Sequence, residues 1–188
     1  RGMSLHDAEI DAITSNNDEP TFENTILAYD NAGQMLAQTE LIFGMLCAAE
    51  TNERMQALQE QVMPLLSAHR DKIRLDEKLF ARVKDVYDRR ASLGLDAEQS
   101  RLLRKTYDAF VRSGALLDAG QKARLKEING ELSLTAVKFG NNILAENNNF
   151  ALELTADDLE GLPSGVRDAA REKAQAMGKG DKWVFTLH

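Results

Sequence analysis

The chain is 188 residues long, 43% hydrophobic and 28% charged, with a formal net charge of −7 at pH 7. A chain of that size and balance is globular and able to bury a sizeable core. Its acid surplus, with no long Lys/Arg run, argues against nucleic acid and against an anionic membrane as partners.

No apolar run approaches the ~20 residues that span a bilayer. Arg1-Gly2-Met3 leads straight into the helical pattern SLHDAEIDAI without a signal peptide, so the chain is expected to begin inside an element. Cys47, the only cysteine, lies in the apolar stretch LIFGMLCAA and reads as a small core side chain. A single thiol forms no intrachain disulfide, which suits a reducing, cytoplasmic compartment.

In chain order, residues 4–16 read as a short helix with Leu5, Ile10 and Ile13 inward, broken by Asp18-Glu19-Pro20. Thr21 is placed to cap a second helix with Phe22, Ile26, Tyr29 and Leu36 on one stripe. Its pattern continues through Phe43 and Leu46 to about Ala49, and its widening apolar face predicts burial on more than one side. Thr51 is the next N-cap candidate, followed by Met55, Leu58, Val62, Leu65, His69 and Ile73 at spacings of three and four. Pro64 inside that pattern predicts a kink or break.

Asp76 caps a helix with Leu79, Phe80, Val83, Val86 and Tyr87 inward, stopped at Gly94. Asp96 with Gln99 reads as a capping box, opening a helix through Leu102, Leu103, Tyr107, Phe110 and Val111 to Gly114. Asp118 opens the longest helix, with Leu125, Ile128, Leu132, Ala136, Phe139 and Ile143 down one side; ~30 residues would reach ~45 Å. The polar cluster Glu146-Asn147-Asn148-Asn149 ends it.

Residues 150–154 alternate as a half-buried strand, and 157–162 read as a turn or short helix. Ser164 is placed to cap a helix to Met177, closed by Gly178 and Gly180; residues 183–187 are a second strand-like run. The expectation is a mainly α fold, a multi-helix bundle over residues 1–149 with a small two-stranded β-α-β appendage, residues 150–188, packed on it. The two strands pair either as a βαβ unit or in a hairpin-like way. No period of 20 to 50 residues appears, which excludes a solenoid.

The chain offers little catalytic chemistry. His6, His69 and His188 are not spaced at three or four residues from one another, as zinc ligands often are. His69 reads as a satisfied helical core residue, while His6 and His188 lie near the ends. Asp157-Asp158 sits in a turn, Ser113, Ser133 and Ser164 lack a G-x-S-x-G setting, and Gly178-Lys179-Gly180 lacks a P-loop. The asparagines at 141–142 and 147–149 form no N-x-S/T sequon and read as helix termination. We assign no catalytic, cofactor-binding or metal-ligating residue.

The phrases PTFENTI at 20–26, AAETNERMQAL at 48–58, LFARVKDVYDRRASLGLD at 79–96, FVRSGALLD at 110–118 and KARLKEINGELSLTAVKFGNNIL at 122–144 occur in this order. Together they resemble the N-terminal helical half of the thimet-oligopeptidase family of zinc metallopeptidases. SLGLD and the closing Gly-Asp-Lys-Trp-Val resemble its bacterial peptidyl-dipeptidase branch.

The resemblance implies a parent enzyme in which two helical halves face each other across a channel that admits short, unfolded peptides. It also implies zinc on an H-E-x-x-H helix with a downstream Glu, and release of C-terminal dipeptides. No H-E-x-x-H occurs in this sequence, so no catalytic position is carried over. The chain is then expected to lack the family's first few dozen residues and the catalytic half of the same polypeptide, to be inactive alone, and to self-associate weakly. The alternatives are a stand-alone acidic helical adaptor that binds a protein or peptide, and a small enzyme of another type.

Overall fold

In the computed structural model residues 1–187 are described, and His188 lies outside them. The fold is mainly α, with one two-stranded sheet near the C-terminus. The chain forms two compact units, Arg1–Val137 and Lys138–His188.

The first unit begins with α1 (Gly2–Thr14) and a π-helical segment (Phe22–Leu27) that runs into α2 (Ala28–Asn31). Then follow α3 (Gln34–Ala49), α4 (Glu53–Arg74), α5 (Glu77–Asp88), α6 (Ala97–Arg112) and the first part of α7 (Ala119–Asn149). Four starts follow from side-chain caps visible in the sequence. Thr21 Oγ1 accepts from Asn24 N–H, while Asn24 Oδ1 accepts from Thr21 N–H. Asp76 Oδ1 accepts from Leu79 N–H. Asp96 and Gln99 exchange a reciprocal pair, as do Asp118 and Gln121. Each satisfies amides that a helix start would leave unpaired.

The core lies between α1, the π-helical segment, α5 and α6. Ile10, Ile13, Phe22, Ile26, Leu79, Val83, Val86, Leu103 and Phe110 are buried in one cluster. A ladder of rings passes through it: Tyr87 stacks on Tyr107 at 3.9 Å, Tyr107 on Phe80 at 5.9 Å, Phe80 on Phe110 at 6.0 Å, and Phe110 meets Tyr29 at 5.3 Å between centroids. A guanidinium closes each end, Arg90 over Tyr87 and Arg74 over Tyr29 and Phe110. Arg82 donates to the carbonyls of Asn16 and Asp18 and to Asn24 Oδ1, fixing the connection ahead of the π-helical segment against α5.

Several expectations are corrected. The continuous helix over 21–49 is broken at Ala32-Gly33, because Gly33 takes φ 76° and starts α3 afresh. Its N–H donates to Glu9 Oε2 at 2.6 Å, so α1 holds the break in place. The apolar face of α3 is not buried on several sides; Leu41, Ile42, Met45 and Leu46 are exposed. Leu5 is exposed as well, since only Ile10 and Ile13 of α1 reach the core.

Asn52, not Thr51, caps α4, accepting from Met55 N–H. Pro64 does not break α4, which runs on to Arg74; Leu66, His69 and Ile73 are buried beyond it and anchor the following turns. Leu58 and Leu65 are exposed, because the buried stripe of α4 runs through Leu66 instead. On α7 the expected inner stripe is largely open: Ile128, Leu132, Phe139 and Ile143 are exposed, while Lys122 and Val137 are buried.

The second unit holds the end of α7, strand β1 (Leu152–Leu154), a 3₁₀ turn (Ala156–Leu159), α8 (Ser164–Ala176) and β2 (Trp183–Phe185). β1 and β2 pair antiparallel, Glu153 opposite Val184, which realises the hairpin-like pairing and excludes a parallel βαβ crossover. Ser164 is the first residue of α8 rather than its cap; Pro163 occupies that position, and its fixed φ suits a helix entry. Gly178, at φ 71°, follows α8 as a left-handed terminator. Val184, Ala170 and Ala174 are buried where β2 packs on α8, and Lys179 and Lys182 both bind the Glu153 carboxylate.

A Cβ at Gly33 would stand 2.7 Å from the His6 ring, in a backbone conformation that L side chains resist. Gly33→Ala is therefore expected to destabilise the fold by about 2 kcal/mol or more. Gly44, mid-α3 with open space around it, is the opposite case, and Gly44→Ala should stabilise by ~0.5–1 kcal/mol. Urea denaturation of the two variants measures both signs.

Candidate functional site

Two groupings of polar side chains stand out, both in the first unit. In one, side chains of α1 and α4 meet at His6 and His69. Their rings meet edge-on, with His6 Nδ1 3.1 Å from His69 Nε2. One ring donates and the other accepts, so the contact holds a single proton. Asp7 lies 3.8 Å from the other nitrogen of His69 and receives a 2.7 Å hydrogen bond from Lys72. That bond is the main cause holding the Asp7 carboxyl below its usual range.

His69 is buried, as expected of a satisfied core histidine, but its partner was not foreseen. The two residues are 63 apart in sequence, and no helical spacing links them. Asp7 faces Nδ1 of His69 rather than the edge the two histidines share. Among the described residues no group of three or more His, Cys, Asp or Glu side chains could hold a metal ion.

The second grouping is a groove of about 920 Å³ between α4, α6 and α7, with Tyr29 of α2 and His6 of α1 at its margin. Arg70 and Arg74 enter from α4, and Arg104, Lys105 and Arg112 from α6. Two carboxylates face these five cations, Asp71 and Asp108. Asp71 accepts from Asn129 Nδ2 at 2.8 Å, and Arg70 lies 3.5 Å from Glu40. Burial raises the pKa of the Tyr29 phenol, so it remains a proton donor at neutral pH.

The other sequence candidates do not converge. Cys47 is half-buried on α3. Asp158 lies in the second unit and caps the 3₁₀ turn through Thr155. Ser133 donates to the Gly130 carbonyl. No helix is long and apolar enough to cross a membrane, and this holds of the described residues.

No family model matches the chain. Individual proteins do. It is 37% identical over 187 residues to the dipeptidyl carboxypeptidase of Escherichia coli K12, a match covering 99% of this chain and 28% of that protein. It is 36% identical over 189 residues to the dipeptidyl carboxypeptidase of Salmonella typhimurium LT2, again 99% and 28%. A thimet-like oligopeptidase of Dictyostelium discoideum is 27% identical over 146 residues, 76% of this chain and 21% of its own length.

The chain belongs to the dipeptidyl carboxypeptidase and thimet-type oligopeptidase family. It spans 28% of the length of the dipeptidyl carboxypeptidases it matches. Within this family segment, then, the polar side chains that converge are a histidine pair joining two helices and a cationic groove.

The histidine pair gives a pH signature. Burial first, and the charge of His69 second, lower the pKa of His6, against the opposing pull of Glu9, Asp7 and Glu40. The unfolded ring, near pKa 6.5, therefore takes up its proton first as the pH falls. The stabilisation is present above that pH and is lost downward through the folded-state value. Melting temperature should fall between pH 7 and pH 5, and the His6→Gln variant should show a flatter profile. Equal slopes in the two proteins would rule out this linkage.

Proposed function

We propose that the chain is a non-catalytic part of a zinc-dependent dipeptidyl carboxypeptidase, forming a wall of the channel through which short peptides reach the metal. The observation that carries this reading is the span of the similarity: it takes in 99% of this chain but 28% of the relative. In support, the sequence contains no H-E-x-x-H, the motif that supplies two zinc ligands and a general base on one helix face. On this reading the catalytic half of the same polypeptide is the main partner, short peptides are the substrates, and the enzyme is cytoplasmic. Residues 150–188 are a small appendage to the helical wall. The wall contributes positioning and the exclusion of folded proteins.

The open apolar faces support the same reading. Leu41, Ile42, Met45 and Leu46 on α3 all lie exposed within residues 41–46 of the helix. Left to water, a patch of this kind favours association. The isolated chain should self-associate weakly across a sedimentation concentration series, and Leu41→Ser with Met45→Ser should shift it to monomer. A wild-type chain that stays monomeric at high concentration would count against a covered face.

Activity gives the direct test. Release of C-terminal dipeptides from a blocked tetrapeptide should be absent with this chain alone and present when it is joined to the remainder of a dipeptidyl carboxypeptidase. Conservative substitutions on α3 and α7 in that enzyme should change KM or peptide-length preference and leave bound zinc unchanged. Chelator-sensitive dipeptide release by the pure chain would overturn the proposal.

A further inference from the structure

The groove between α4, α6 and α7 has no part in the reading above, and its charge runs against that of the chain. The protein carries −7, yet five cations and two carboxylates converge here. Elsewhere in the first unit Lys72, Lys84, Arg89, Lys122 and Arg124 each hold a carboxylate. Arg54, Lys78, Arg101 and Lys126 hold none among the described residues, but Lys78 and Lys126 share their groove with the carboxylates of Asp11, Asp76 and Glu77. Among the described residues Arg74, Arg104, Lys105 and Arg112 hold none. The Arg74 guanidinium carbon lies 5.9 Å from the centre of the Tyr29 ring and 5.6 Å from that of Phe110, contacts that use none of its N–H donors. The carboxylates of Asp76 and Asp71, close to it in sequence, already accept from the Leu79 N–H and from Asn129.

We propose that this groove is a binding site for a small, multiply charged phosphate compound, held by Arg74, Arg104, Lys105 and Arg112. The chemistry favours phosphate over a single carboxylate. Cations arrive from two helices rather than as one fork, and one carboxylate would satisfy at most one or two of them. Guanidinium edges match phosphate oxygens in a bidentate way. The Tyr29 hydroxyl, which has no hydrogen-bond partner among the described residues, lines the same groove and adds a neutral donor. The volume of about 920 Å³ falls within the range of small-ligand sites and admits a group as large as a nucleotide.

The site is anchored from within. Thr106 and Phe110 are buried on the inner side of α6 while Arg104 and Arg112 point outward, so the spacing of these cations is set by the core. The proposal does not depend on the peptidase reading, because it concerns binding to this chain alone.

Calorimetric titration of the chain with inorganic pyrophosphate at low salt tests it, beside a control titration with an acidic peptide ending in Glu-Glu. Pyrophosphate should bind, and the R104Q/R112Q variant should bind at least ten-fold more weakly. K84Q, which alters a lysine paired to Asp88 outside the groove, should bind as wild type does. Circular dichroism confirms that the variants are folded. If the double variant fails to fold, amide shift mapping of the wild-type chain decides in its place: pyrophosphate should perturb residues 70–74 and 104–113 first. Absence of pyrophosphate binding at millimolar concentration, equal binding by the folded double variant, shifts confined to other segments, or binding of the acidic peptide alone would each overturn the proposal.

Discussion

The buried face of α5 is the constraint around which the first unit is arranged. Leu79, Val83 and Val86 are fully buried on a helix of only 12 residues. α1, the π-helical segment and α6 all pack against that face. Burying three such side chains stabilises by roughly 5–8 kcal/mol in transfer terms, comparable to the whole net stability of a domain. The neighbours' own anchors, Ile10, Ile26, Leu103 and Phe110, are buried against the same cluster. Polar groups on α5 then secure what its apolar face attracts, as when Arg82 holds the carbonyls of the 15–20 connection.

The same helix explains why so much of this unit could be read from sequence. Its stripe repeats at three and four residues, and Asp76 marks its start. The capping boxes at Thr21, Asp96 and Asp118 mark three more starts by short-range chemistry that tertiary context rarely overrides. The break at Gly33 was hidden for the opposite reason. Apolar residues keep a helical spacing through it, and what fixes the left-handed turn is Glu9, 24 residues earlier. The exposed faces of α3 and α7 misled in another way: periodicity reports that a face is apolar, not that this stretch of chain covers it. The contact of His6 with His69 depends on where α1 and α4 meet, for which no local pattern exists.

Charge follows a comparable division. Local ion pairs such as Lys84 with Asp88 and Arg124 with Glu127 sit at helical spacing and could be anticipated. The convergence of Arg74 with Arg104 and Arg112 could not, because the cations are brought together by helix packing. In sequence they are scattered among carboxylates, of which only Asp71 and Asp108 line the same groove.

Core and groove are mechanically one object. The aromatic ladder that begins at Tyr87 ends at Tyr29 and Phe110, where Arg74 lies across the rings. Phe110 packs inward from the same helix that sends Arg104 and Arg112 outward. A ring stack in a close-packed interior leaves little room for either helix to slide or rotate without opening a void. The backbone positions from which the cations of α4 and α6 extend are thus fixed by apolar contacts that carry no charge. An unpaired guanidinium on a flexible surface loop would be masked by water and salt. Three guanidiniums and one ammonium anchored on a common core recur in one arrangement from molecule to molecule, and that arrangement favours a ligand of matching charge and span.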